Sequence, residues 1–123
     1  MNGSTYCGNT VACAVGIASL EVIEEENLSA KAKKMGDLIM NGLKELKHPF
    51  IKSVRGKGLM FAIEFDGNYE GVGAKVINGM KAEGVLGKMT GAKCIRFSPA
   101  LVLTEEDANQ IVHSVKVSCD KLL

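Results

Sequence analysis

The chain has 123 residues, 46% hydrophobic and 24% charged, with 15 basic against 14 acidic side chains and a formal net charge of +1. That is the length of one domain, large enough to bury a core of its own, and with no basic block it offers no charged face for nucleic acid. Aromatic residues make up only 5% and tryptophan is absent, so stacking platforms for bases are not expected either.

The first predicted element is a turn, Gly3-Ser4-Thr5-Tyr6-Cys7-Gly8-Asn9, leading into a helix over residues 10–26. That helix carries Val11, Val15, Ile17, Leu20, Val22 and Ile23 on every face and ends in Glu24, Glu25 and Glu26, which read as a solvated terminus. A helix apolar all round is a buried helix, yet a domain this small rarely surrounds one, so protein outside this sequence is expected to cover it. Its apolar run is about half the length a bilayer requires, so it is not a membrane span. The turn opens at residue 3 with no element before it, which predicts a piece of a longer protein.

The second helix, over residues 29–47, is amphipathic. Ala32, Met35, Ile39, Leu43 and Leu46 recur every three or four residues, and His48-Pro49 ends it. Residues 54–65, VRGKGLMFAIEF, read as one strand, with Leu59, Phe61, Ile63 and Phe65 inward and Met60, Ala62 and Glu64 outward. Asp66-Gly67-Asn68 makes a turn. A third helix follows over residues 69–82, with Val72, Val76, Ile77 and Met80 inward and Gly84 as its C-terminal cap. Short strands are expected over 85–88 and 94–98. Thr104 then caps a final helix with Glu105, Glu106 and Asp107 at its positive end and the stripe Ala108, Ile111, Val112, Val115, Cys119 and Leu122. The order predicts an α+β domain: a small, mainly antiparallel sheet with helices on one face, preceded by the long apolar helix.

Few stretches carry chemistry. Cys7, Cys13, Cys94 and Cys119 form no C-x-x-C pair, and His48 and His113 stand apart, so no metal site is expected. Unpaired cysteines of this kind suit an intracellular protein, in the cytoplasm or the mitochondrial matrix. In the first turn, Ser4 and Thr5 supply hydroxyls ahead of a helix start that attracts anions. Local chemistry leaves two readings open, a phosphate cradle or a capped turn. Arg96, at the end of a short apolar strand, is either a fork for a carboxylate or an edge-strand arginine, in solvent or in a structural ion pair. Arg55-Gly56-Lys57-Gly58 lacks phosphate-loop spacing and precedes a strand rather than a helix, so it reads as a structural turn. No nucleophile elbow, paired catalytic carboxylates or Cys/His couple is present.

Four segments, GSTYCGN, LEVIEEENL, RGKGLMFAIEF and IRFSPALVLTEED, taken together and in this order, resemble the C-terminal part of class III (subgroup II) pyridoxal-phosphate aminotransferases. The resemblance implies a fold type I homodimer with pyridoxal 5'-phosphate at the subunit interface, acting on small-molecule amino donors and 2-oxo acids. It implies that residues 1–27 end the large domain, with Ser4 and Thr5 binding the cofactor phosphate of the other subunit and the first helix packing near the dimer interface. Residues 28–123 would be the C-terminal small domain, with Arg96 pairing with the substrate carboxylate. The sequence departs from the family at Cys7, where glycine is usual, and at Thr10, where proline is usual; threonine is expected to cap the helix instead. The family's cofactor-binding lysine, its pyridine-pairing aspartate and its ring-stacking aromatic match no residue here, so this segment by itself is expected to be inactive. Apart from the resemblance, the apolar first helix suits a non-catalytic α+β domain that docks on a partner.

Overall fold

A computed structural model describes residues 3–123, as four helices and four strands. Helix α1 (Thr10–Glu25) is capped by Asn9, whose side-chain oxygen accepts from the Ala12 amide at 2.9 Å. Thr10 is therefore the first helical residue, and the cap lies one position earlier than expected. The reason is that the Asn9 side-chain oxygen already satisfies an orphan amide of the first turn. A left-handed Asn27 (φ 49°) then turns the chain into helix α2 (Leu28–Glu45), whose Met35, Ile39, Met40 and Leu43 are buried.

The stretch expected as one strand is a hairpin. Strand β1 (Ile51–Lys57) pairs antiparallel with β2 (Met60–Phe65), and Gly58-Leu59 is the two-residue loop between them. Gly58 stands first in that loop at φ 54°, a conformation that favours glycine and that tight hairpins require. The turn escapes detection because the apolar alternation of Leu59, Phe61, Ile63 and Phe65 runs through it unbroken.

Helix α3 (Val72–Ala82) ends at Gly84 (φ 80°), where the Val85 amide donates back to the Met80 carbonyl at 2.9 Å. This is the expected glycine stop. The next strand, β3 (Lys88–Met89), is shorter and later than expected, and it pairs with β4 (Cys94–Phe97). Helix α4 (Glu105–Asp120) begins with a full capping box: the Asp107 amide donates to the Thr104 hydroxyl oxygen, and the Thr104 amide donates to the Asp107 carboxylate, both at 3.1 Å.

The sheet has the order β1-β2-β4-β3, antiparallel throughout. Its inner face, Phe61, Ile63, Phe65, Ile95 and Phe97, is buried under α2, α3 and α4, with the Phe61 and Phe97 rings stacked 4.9 Å apart. The α+β fold with helices on one face is as expected. Helix α1 alone lies outside this core. Among the described residues it has no buried residue and rests mainly against α2, and Val11, Val15, Ile17 and Leu20 are all exposed. No helix among the described residues is long and apolar enough to cross a membrane.

Candidate functional site

The first candidate element is the turn before α1. The Cys7 amide donates to the Ser4 carbonyl at 3.0 Å and the Asn9 amide to the Tyr6 carbonyl at 3.2 Å, so the chain bends twice within seven residues. Gly8 makes the second bend possible at φ 76°. Ser4 and Thr5 are left exposed, and among the described residues neither hydroxyl has a hydrogen-bond partner. Beyond them lie the first-turn amides of α1, which have no partner within the helix apart from the one that Asn9 takes. The turn thus holds two exposed, unpartnered hydroxyls in the segment that leads into a helix start, residue types suited to a phosphate.

The second element is the outer face of the sheet, which no helix among the described residues covers. Arg96 lies there, directly opposite Ala62 of β2 on one side and Lys88 of β3 on the other. Ala62 in turn faces Arg55 of β1. One row across four strands therefore reads Arg55, Ala62, Arg96, Lys88. Among the described residues Arg55 and Arg96 have neither an ion pair nor a side-chain hydrogen bond. The carboxylate beside them, Glu64, is engaged by Lys52 at 2.9 Å and the Ser53 hydroxyl at 3.2 Å, and these contacts hold its acid below the ordinary range. Arg96 is thus an exposed, unpaired fork at the rim of a recess of about 290 Å³, not a member of a structural ion pair.

Arg55 is where the sequence reading needs correcting. It is a strand residue on the open face rather than part of a turn; the turn comes three residues later. The signal was present in the i, i+2 spacing of Ser53, Arg55 and Lys57, but its meaning depends on knowing that β1 is an outer-face partner of β2. Among the described residues no hydrogen bond ties the Ser4–Thr5 turn to the sheet, and no group of His, Cys, Asp and Glu gathers to hold a metal. Of the cysteines, Cys7 and Cys13 are exposed and Cys119 is buried, which pushes its thiol up to about 12 and leaves it inert at neutral pH.

The family model of aminotransferase class III matches residues 1–118. This chain belongs to the class III aminotransferases. It is 40% identical to the ornithine aminotransferase of Emericella nidulans, over 98% of the chain and 27% of that protein. It is also 40% identical to the ornithine aminotransferase of Halalkalibacterium halodurans, over 93% of the chain and 28% of that protein. Among solved structures it matches an acetylornithine aminotransferase from Elizabethkingia anophelis with a TM-score of 0.88 and 36% identity, over 98% of this chain and 32% of that one. It matches the ornithine aminotransferase from Toxoplasma gondii, a structure with partial occupancy of PLP at the active site, with a TM-score of 0.85 and 34% identity, over 96% of this chain and 28% of that one. The chain thus spans less than a third of the length of these class III relatives, and the likeness covers the first turn, α1 and the sheet domain alike.

Proposed function

We propose that the chain is the C-terminal part of an ornithine aminotransferase, a homodimeric enzyme that moves the δ-amino group of ornithine to 2-oxoglutarate with pyridoxal 5'-phosphate. The observation that carries this reading is the Arg96 guanidinium, unpaired on the one sheet face that the chain leaves uncovered. A planar fork with no internal partner is suited to bidentate binding of a substrate carboxylate. The 40% identity to ornithine aminotransferases supports the same reading.

In this enzyme residues 1–27 belong to the end of the large domain and residues 28–123 form the small domain. The division is supported by α1, which shares none of the core that unites α2, α3, α4 and the sheet. Ser4 and Thr5 donate their hydroxyls to the cofactor phosphate held by the other subunit, which the free donors of the turn fit. When bound, the cofactor supplies the electron sink on which amino transfer depends. Arg96 fixes the substrate by its carboxylate and so sets which end reaches the reacting centre. The apolar sides of α1 are covered by the large domain and the second subunit. The lysine that the family uses on its cofactor matches no residue here, so this segment alone does not transaminate. Four cysteines without a disulfide among them suit a reducing, intracellular compartment.

The test is Arg96→Lys in the full-length enzyme. A point charge replaces two parallel hydrogen bonds, at a cost of about 1.5–3 kcal/mol, or roughly a ten- to hundredfold drop in kcat/KM with melting temperature unchanged. A collapse of stability with the rate per folded molecule intact would make Arg96 structural and sink the assignment. A second reading, an N-acetylornithine aminotransferase, is supported by the 36% identity to such an enzyme among solved structures. Turnover of N-acetylornithine in preference to ornithine would select it.

A further inference from the structure

His48 is only 8% exposed, and it takes no part in the sites described above. It follows the end of α2, where a left-handed Lys47 (φ 45°) turns the chain toward β1. The Phe50 amide donates to its Nδ1 at 3.4 Å, so the neutral ring carries its proton on Nε2. That Nε2 is buried and has no hydrogen-bond partner among the described residues. It lies 3.6 Å from Oδ1 of Asp120, too far for a hydrogen bond but within reach of an ion pair. An orphaned donor in a buried site is costly, and this one stands just short of an acceptor.

Asp120 has its own need for a cation. It is the last residue of α4, at the negative end of the helix, where a carboxylate is unfavourable. Lys116 takes Oδ2 at 2.8 Å and leaves Oδ1 to His48. That hydrogen bond, with the charges of Lys116 and His48 adding to it, holds the Asp120 acid below its ordinary value, so the carboxylate stays ionised in weak acid. Among the described residues, Asp120 alone is within ion-pair distance of His48. Lys121, after α4, is turned to Glu83 and Lys52 of β1 to Glu64, both at 2.9 Å. Lys47 is exposed, and Tyr69, ahead of α3, meets the Phe50 ring edge-on. The Cys119 thiol next to Asp120 is pushed up to about 12 by burial and by that carboxylate, and stays neutral.

We propose that His48 and Asp120 form a proton-operated latch between the ends of α2 and α4. Protonation puts a second N–H on the ring at Nδ1 and displaces the Phe50 amide, whose long bond costs little to lose. In exchange the imidazolium closes on Asp120, and the orphaned Nε2–H gains a charge-assisted partner. A cation that gains a partner on folding contributes stability that is present at lower pH and lost as pH rises. The seam between the two helix ends is therefore tight in weak acid and loosens as pH rises through the histidine range.

Hydrogen exchange of the full-length enzyme tests the latch at about pH 5.5 and about pH 8, on either side of the histidine range, with rates corrected for the intrinsic pH dependence of exchange. The amides to follow are Ile51, which donates to the His48 carbonyl at 2.9 Å, and Lys121 and Leu122, which close the end of α4. In the wild type their protection is expected to be about threefold or more higher at the lower pH, the effect of one modest ion pair. His48→Gln and Asp120→Asn should each remove that difference. Lys116→Gln, which leaves Oδ1 beside the imidazole, should keep it. Asp120 is half-exposed, so Asp120→Asn serves if His48→Gln does not fold. Equal protection of the wild type at the two pH values overturns the latch. So does a pH difference that survives in Asp120→Asn, because the partner of the imidazolium then lies elsewhere.

Discussion

Gly36 of α2 and Gly58 of the β1–β2 loop touch backbone to backbone, so closely that a Cβ on Gly36 would fall inside the Gly58 carbonyl group. The contact seats the hairpin loop against the helix. Gly36→Ala should therefore destabilise the domain. Alanine favours a helix by up to about 1 kcal/mol over glycine, but here overpacking against a rigid backbone costs about 3 kcal/mol or more. Gly16→Ala in α1 is the control, because nothing lies within 4 Å of the added methyl, and it should be neutral or stabilising. Urea unfolding of both variants checks this; equal stability would mean that the Gly36–Gly58 contact is not tight.

The capping box of α4 should be visible in acid. Thr104 and Asp107 exchange three hydrogen bonds, and the hydroxyl and amide of Thr104 hold the Asp107 acid below its ordinary value of 3.8. A carboxylate whose folded value is depressed contributes stability that is complete above its unfolded value and lost as pH falls through the folded one. Thr104→Ala should cost about 1 kcal/mol near neutral pH. That difference should shrink as pH drops below 3.8, because protonation of Asp107 weakens the bond it accepts from the Thr104 hydroxyl in the wild type. Thermal melts of both proteins from pH 7 to pH 2 give the answer, and a pH-independent difference would rule the ion out as part of the cap.

Thr5→Ala in the full-length enzyme should loosen the cofactor and leave the chemistry of retained cofactor largely intact. One charge-assisted hydrogen bond to a phosphate is worth about 1.5–3 kcal/mol. Mixing this variant with one lacking the catalytic lysine tests whether the contact crosses the dimer. In a mixed dimer both lesions fall on one site and the other is whole, so half the sites should regain wild-type affinity in an equilibrium dialysis of pyridoxal phosphate. Demonstrable heterodimers with no recovered site would place Thr5 against the cofactor of its own subunit.

Local residues announced most of the elements because each carried its own stop or start. Gly84 ends α3 by accepting a left-handed backbone, Thr104 opens α4 by satisfying orphan amides, and the alternation of Phe61, Ile63 and Phe65 declares a strand with one buried face. These are interactions within a few residues, so a short window of sequence contains both partners. The Ser4–Thr5 turn and the exposed apolar helix behind it were legible for the same reason.

What the sequence by itself determined, then, was the kind of most elements and the inward and outward faces of β2. Only the tertiary structure decided that Gly58-Leu59 folds the apparent single strand back on itself, since its apolar rhythm continues through the loop. Only the order β1-β2-β4-β3 brings Arg55, Arg96 and Lys88 into one row, from positions separated by a hairpin, a helix and a further turn. Strand register is set by which faces meet the helices and by where the chain bulges, here between Ile51 and Ser53. It couples residues tens of positions apart, and a one-residue slip would have turned Arg55 into the core.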